Sequence, residues 1–161
     1  MTVELANPMV VEVALAMVER QGQWLLQLRD DIEGILAPGC WGLFGGHLDP
    51  GETPLQALRR ELQEEIAWQA GELIPWFSHE LPERRAHFFR GPLTVNLEEL
   101  TLLEGQDLAL VSLAEMATGQ VWSPKLQELR PVARSLQCAV QRLLQEQSLL
   151  LPASQQDGAT I

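Results

Sequence analysis

The apolar positions of this chain change period several times, and each change marks an element. Residues 9–18, MVVEVALAMV, are apolar on both parities, which predicts a strand covered on both faces. Gln21-Gly22-Gln23 turns the chain, and WLLQLR over 24–29 predicts a second strand with polar side chains at Gln27 and Arg29. The stretch 30–40 supplies Asp, Gly and Pro for a loop, and WGLF over 41–44 predicts a third short strand ending at Gly45-Gly46. At Thr53 the spacing becomes helical. Thr53 is a good N-cap, Pro54 suits the first helical position, and Gln56 at the third completes a capping box. Leu55, Leu58, Leu62 and Ile66 then form an apolar stripe, so the helix is expected to reach about Ile66. Strand-like stretches follow at 73–79, 86–89 and 108–113. From Pro124 to about Gln147, Leu126, Leu129, Val132, Leu136, Val140 and Leu143 recur at three- and four-residue steps. They predict a long amphipathic helix that Pro131 kinks or divides.

Composition narrows the class. The 161 residues suit one domain, expected over 1–150, with the small, polar segment 151–161 expected to be disordered. With 11 basic and 22 acidic residues the formal charge is −11, which argues against a surface built for nucleic-acid phosphates or anionic lipid. A phosphate-bearing ligand must then be held locally, through a cation. Cys40 and Cys138 show neither zinc-ligand spacing nor a disulfide framework and are read as inert. No apolar run approaches a membrane span and the N-terminus lacks a cleavable leader pattern, so the expected location is the cytoplasm.

The chemistry concentrates in GHLDPGETPLQALRRELQEEIAW, residues 46–68. Glu61, Glu64 and Glu65 stand at i, i+3 and i+4, which puts their Cβ atoms about 5–6 Å apart on one helix face, away from the leucine stripe. Such a face is often plain solvated surface. Here the glycines ahead of it allow close backbone approach, and Asp49-Pro50-Gly51 turns the chain back to the capped helix. A loop and helix of that design can surround one divalent cation, and all-oxygen ligands suit Mg²⁺ or Mn²⁺ rather than zinc.

The same residues resemble the Nudix box: Gly46, Glu52, Arg60, Glu61, Leu62, Glu64 and Glu65 match seven positions within 20 residues. One departure is visible, because the glycine that usually follows the paired glutamates is Ala67 here; it bears on the helix terminus more than on the chemistry. The resemblance implies an α/β fold, a Nudix-type α/β/α sandwich whose mixed sheet lies between the box helix and the C-terminal helix. It implies that Glu61, Glu64 and Glu65 ligate Mg²⁺ or Mn²⁺ with help from the Gly45 carbonyl. Glu52 is implied as an accessory metal carboxylate, and Arg60 as the arginine that orients the glutamates. Glu104, in Leu103-Glu104-Gly105-Gln106, looks like a MutT-like loop carboxylate acting as ligand or base, although an ordinary exposed loop residue reads the same way. Arg29 and His47 stand where MutT-like enzymes meet substrate, and a plain surface role fits them as well.

The implied activity is metal-dependent hydrolysis of a nucleoside diphosphate linked to another group, most simply a nucleoside triphosphate. A nucleotide sugar or ADP-ribose is the alternative, because the loop 121–125, VWSPK, lacks the asparagine with which MutT-like proteins recognise guanine. A catalytically silent nucleotide-binding module is a third reading, and the complete acid set weighs against it. The implied partner is a nucleotide, with neither nucleic acid nor membrane; the family includes homodimers, and nothing in the sequence decides that point. His79 and His87 lack partners at ligand spacing and are read as structural. Of the five tryptophans most are expected in the core, with Trp76 or Trp122 as candidates to line a pocket.

Overall fold

The computed structural model describes residues 10–81 and 83–150. The expectations for Met9 and for the tail 151–161 therefore lie outside the described residues.

Strand β1 (Val11–Arg20) turns through Gln21-Gly22, both at positive φ, into β2 (Gln23–Leu28). The two pair only at Glu19↔Trp24 and Arg20↔Gln23 and then diverge. The gap is filled from both sides: β3 (Trp41–Gly42) pairs with β2, and β4 (Gly45–His47) pairs with β1. The outer edge of β1 runs parallel to β6 (Arg84–Pro92), which pairs antiparallel with β5 (Ile74–Leu81). On the other side β7 (Asp107–Ser112) pairs antiparallel with β2. The result is one seven-stranded mixed sheet with a fork at its centre.

Helix α1 (Pro54–Ile66) covers one face and α3 (Arg134–Leu150) the other. The mixed parity of β1 follows directly. Val13, Leu15 and Met17 pack with Leu136, Ala139 and Val140 of α3, while Ala14, Ala16 and Val18 pack with Leu58, Leu62 and Ile66 of α1. Those three α1 side chains are fully buried, each contributing about 2 kcal/mol of hydrophobic burial. Thr53 Oγ1 accepts from the Gln56 amide and Gln56 Oε1 accepts from the Thr53 amide, so the capping box forms as its sequence predicts. This is the expected α/β/α sandwich. No helix among the described residues is long and apolar enough to cross a membrane.

Three expectations need correction. The long helix predicted from Pro124 starts only at Arg134. Residues 120–131 instead form a hairpin of β8 (Gln120–Ser123) and β9 (Glu128–Pro131), with Gln127 at φ 55 in its turn. Leucines at helical steps misled here; Pro131, which cannot donate to a helix ladder, and the buried Ser123–Asp107 hydrogen bond of 2.7 Å favour the hairpin. The third strand is broken at residues 43–44, because it changes partner from β2 to β1 across the fork. The strand expected through Leu113 ends at Ser112, which caps the short helix α2 (Leu113–Ala117) by accepting from the Glu115 amide.

Candidate active site

The fork decides where the chemistry sits. Gly45 enters β4 at φ 138, and a Cβ there would fall on the Ala14 carbonyl oxygen. At Gly46 a Cβ would meet Glu61 Cδ at 2.7 Å, so glycine lets the acidic face of α1 lie directly on the strand. That face brings Glu61 and Glu65 together, one helical turn apart. The loop before β7 brings Glu104, and ligand atoms of Glu61, Glu65 and Glu104 all lie within 4.8 Å of one another.

Glu65 is buried, and both its oxygens accept hydrogen bonds: Oε1 from the Gly45 amide at 2.9 Å and Oε2 from Gln27 Nε2 at 3.0 Å. Burial pushes its carboxyl up to about 8, reinforced by the charges of Glu104 and Glu61 and opposed by these two hydrogen bonds. Burial also raises Glu61, against the pull of Arg60.

Arg60 is the hub of the outer half. Its Nε donates to Glu52 Oε2 at 3.0 Å, and its Nη2 donates to Glu52 Oε1 and to the His47 carbonyl, both at 2.9 Å. Nη1 donates to Glu61 Oε1 at 3.0 Å and to Glu64 Oε2 at 3.2 Å, and Asp49 lies 3.3 Å from Nε. This two-pronged pairing holds the Glu52 carboxyl below the usual carboxylate range and raises the Arg60 guanidinium further.

The sequence-predicted residues therefore divide. Glu61, Glu65 and Glu104 converge, while Gly45 touches the site by donating its amide to Glu65. Glu52 is seated on Arg60, and Glu64 is 57% exposed beside the same guanidinium, outside the cluster of three. The His47 side chain is exposed. Arg29 turns away from the carboxylates, donating through Nε to the Leu36 carbonyl at 2.7 Å, while its own carbonyl accepts from Gln106 Nε2 at 2.9 Å. It thus joins the Glu104 loop to the rim of a cavity of about 520 Å³, whose walls include Leu15, Leu36, Phe88, Ala133 and Cys138. His79, Arg84 and Arg134 add polar groups to those walls. Arg84 has no hydrogen-bond or ion-pair partner among the described residues, and burial together with the facing Arg29 lowers its guanidinium. Neither Trp76 nor Trp122 lines this cavity.

Sequence reasoning missed Gln27 and Arg84. Gln27 was legible as an amide inside an otherwise apolar strand. Arg84 carried no signal, lying in a run of charged residues at the start of β6. His87, read as structural, bridges Ser78 Oγ at 3.2 Å and Glu12 Oε1 at 3.0 Å on the sheet away from the cluster.

The donor set fits a divalent cation. Three carboxylates with all-oxygen donors converge, one of them is buried with a strongly raised pKa, and the nearest arginine reaches Glu61 alone of the three.

Residues 8–147 match the family model described as NUDIX domain. A nucleoside triphosphatase, NudI, of Escherichia coli O1:K1 is 38% identical over 66 residues, covering 40% of this chain and 46% of that protein. The match therefore spans less than half the length of that curated relative. Among solved structures, a MutT protein from Methanosarcina mazei Go1 superposes with a TM-score of 0.64 at 21% identity, covering 85% of this chain and 94% of that one. The solution structure of the E. coli ORF135 protein gives 0.61 at 27% identity, over 89% of this chain and 94% of that one.

Proposed function

Because the chain belongs to the Nudix family, we propose that it is a divalent-metal-dependent pyrophosphohydrolase of nucleoside triphosphates acting in the cytoplasm. The convergence of Glu61, Glu65 and Glu104 within 4.8 Å, two of them on the helix face that Arg60 braces and the third on the loop before β7, carries the reading. The relative named as a nucleoside triphosphatase supports the choice of substrate.

Glu61, Glu65 and Glu104 would hold Mg²⁺ or Mn²⁺, with the Gly45 carbonyl and Glu64 as further ligands and Glu52 acting through Arg60. When bound, such a cation polarises phosphoryl oxygens and offsets their charge. The chain's own groups do the rest. Arg60 fixes the rotamers of Glu52, Glu61 and Glu64, so the carboxylates are preorganised. Glu65 spends one lone pair of each oxygen on Gly45 and Gln27, which fixes its orientation. Glu104, with an exposed side chain, is the carboxylate free to take the proton of the attacking water at its Oε atoms. Arg84 and Arg134 line the cavity and Arg29 is tied to its rim at Leu36; the cavity is large enough for a nucleoside and would bind the part of the substrate beyond the phosphates.

A nucleotide sugar or ADP-ribose is the second reading. It is favoured by residues 121–125, the end of β8 and the start of its turn, which lack an amide side chain and whose Ser123 hydroxyl is committed to Asp107. A panel of nucleoside triphosphates, nucleotide sugars and ADP-ribose with Mg²⁺, resolved by chromatography, decides between the two. Triphosphate turnover that stops with chelator is expected. Turnover of none of them, or turnover indifferent to chelator, would refute the proposal.

A further inference from the structure

Four polar or charged residues are buried among the described residues: Gln27, Glu65, Asp107 and Ser123. Asp107 and Ser123 bond to each other and hold the β8–β9 hairpin. Gln27 and Glu65 also bond to each other, and here the amide has a second partner. Gln27 Nε2 donates to Glu65 Oε2 at 3.0 Å and to the backbone carbonyl of Glu104 at 3.0 Å. One NH₂ group thus joins the helix carboxylate to the loop that carries the third carboxylate.

That loop needs fastening. The Glu104 side chain lies with those of Glu61 and Glu65, ligand atoms within 4.8 Å of one another, and the charge of Glu61, joined by that of Glu65 once it ionises to take a cation, pushes it away. Against this push stand the Leu103 amide, donating to the Glu65 carbonyl at 2.8 Å, and the Gln106 amide, donating to the Leu28 carbonyl at 2.7 Å. Gly105 adopts φ 102 between them, and a Cβ there would meet the Leu28 carbonyl oxygen at 2.8 Å and Gln27 Cγ at 3.0 Å. Gln27 supplies the remaining tie, at the peptide of Glu104 itself. Its chemistry is the one that serves. Glutamate at 27 would add a fourth negative charge and no donor, whereas an aliphatic side chain would leave Glu65 Oε2 and the Glu104 carbonyl without their donor.

We propose that Gln27 is a positioning residue: it holds Glu104 beside Glu61 and Glu65, so that the three-carboxylate site is assembled before a cation arrives. This rests on the metal-site reading above, and it concerns a residue that touches neither cation nor substrate.

The test uses Gln27→Met, which keeps an unbranched side chain but removes both donors, and Gln27→Asn, which keeps the amide but withdraws it by one methylene. Gln27→Asn serves alone if Gln27→Met does not fold. In metal-free protein, amide hydrogen exchange over residues 102–106 should be faster in the variants than in wild type. The Mn²⁺ dissociation constant, read from the paramagnetic resonance signal of free Mn²⁺ without substrate, should rise by about 10- to 100-fold. The double variant Gln27→Met/Glu104→Gln should bind Mn²⁺ no more weakly than the weaker single variant, because the two act through one group. Unchanged exchange, wild-type Mn²⁺ affinity or fully additive losses would each overturn the role of Gln27. Equal Mn²⁺ affinity in wild type and Glu65→Gln would instead overturn the metal-site reading and, with it, the purpose assigned here; faster exchange in the Gln27 variants would then show a structural tie alone.

Discussion

The buried carboxyl of Glu65 makes the stability of the metal-free protein depend on pH in a direction opposite to that of most acidic residues. Its folded value of about 8 lies far above that of an exposed glutamate, so between about pH 4.5 and 8 the native state holds a proton that the unfolded chain has released. Stability must then fall as pH rises through that window. The slope approaches 1.4 kcal/mol per pH unit, or roughly 4 kcal/mol between pH 5 and 8, a large share of the 5–15 kcal/mol typical of a domain. Glu65→Gln removes the titration at a fixed cost. Its amide can accept from Gly45 or from Gln27 but not from both, which costs about 1–3 kcal/mol at every pH. The two stability curves should therefore cross, with wild type more stable at pH 5 and the variant more stable at pH 8.5. The assay is urea unfolding at intervals between those values, in chelator and in Mg²⁺. A divalent cation takes only the carboxylate form, so Mg²⁺ should flatten or reverse the wild-type slope and leave the variant unchanged. A wild-type stability that rises from pH 5 to 8 in chelator, or a slope in Glu65→Gln as steep as that of wild type, would refute the reasoning; the raised Glu61 leaves only a shallower slope in the variant.

Glu61→Gln should lower kcat by on the order of 10²–10⁴ without loss of fold, measured by steady-state hydrolysis alongside circular dichroism. Arg84→Gln should raise KM for the best substrate about tenfold while kcat stays within a factor of about three, since Arg84 faces the cavity rather than the carboxylates; a kcat loss with KM unchanged would contradict that placement. Ala67 caps α1 at φ 51, a left-handed conformation that costs a residue with a Cβ about 1–2 kcal/mol, so Ala67→Gly should stabilise the protein by about 1 kcal/mol in urea unfolding.

Local chemistry explains which parts of this molecule were legible in its sequence. Thr53, Pro54 and Gln56 act within one helical turn, so the start of α1 could be read from three letters. Both faces of β1 could be read because two different helices bury them. The spacing of Glu61 and Glu65 put them on one face of α1, and the Nudix resemblance, rather than any pattern, singled out Glu104 from a distant loop. What failed was non-local. The leucines at 126 and 129 have helical spacing, yet their segment is held as a hairpin turn by Asp107, whose Oδ2 accepts from Ser123 Oγ and from the Lys125 amide. Gln27 sits 38 residues before Glu65 and 77 before Glu104, and only the fork in the sheet brings the three together.

The charges of the site divide along the same fork. Asp49, Glu52, Glu61 and Glu64 share one guanidinium, that of Arg60, while among the described residues no basic side chain bonds to Glu65 or Glu104. The outer carboxylates are thus neutralised in part by a permanent cation that no change of metal concentration can remove. Of the inner two, the Glu65 carboxylate accepts from the Gly45 amide and the Gln27 side chain, whereas Gln27 meets Glu104 at its backbone carbonyl. Dipoles fix geometry but supply no net charge, so in a chain of net charge −11 the inner pair must either hold a proton, as the raised value at Glu65 indicates, or accept an external cation. Glu61 belongs to both halves: one of its oxygens accepts from Arg60 and the residue also contributes to the inner cluster, so the arginine that steadies it also fixes one wall of the cation site.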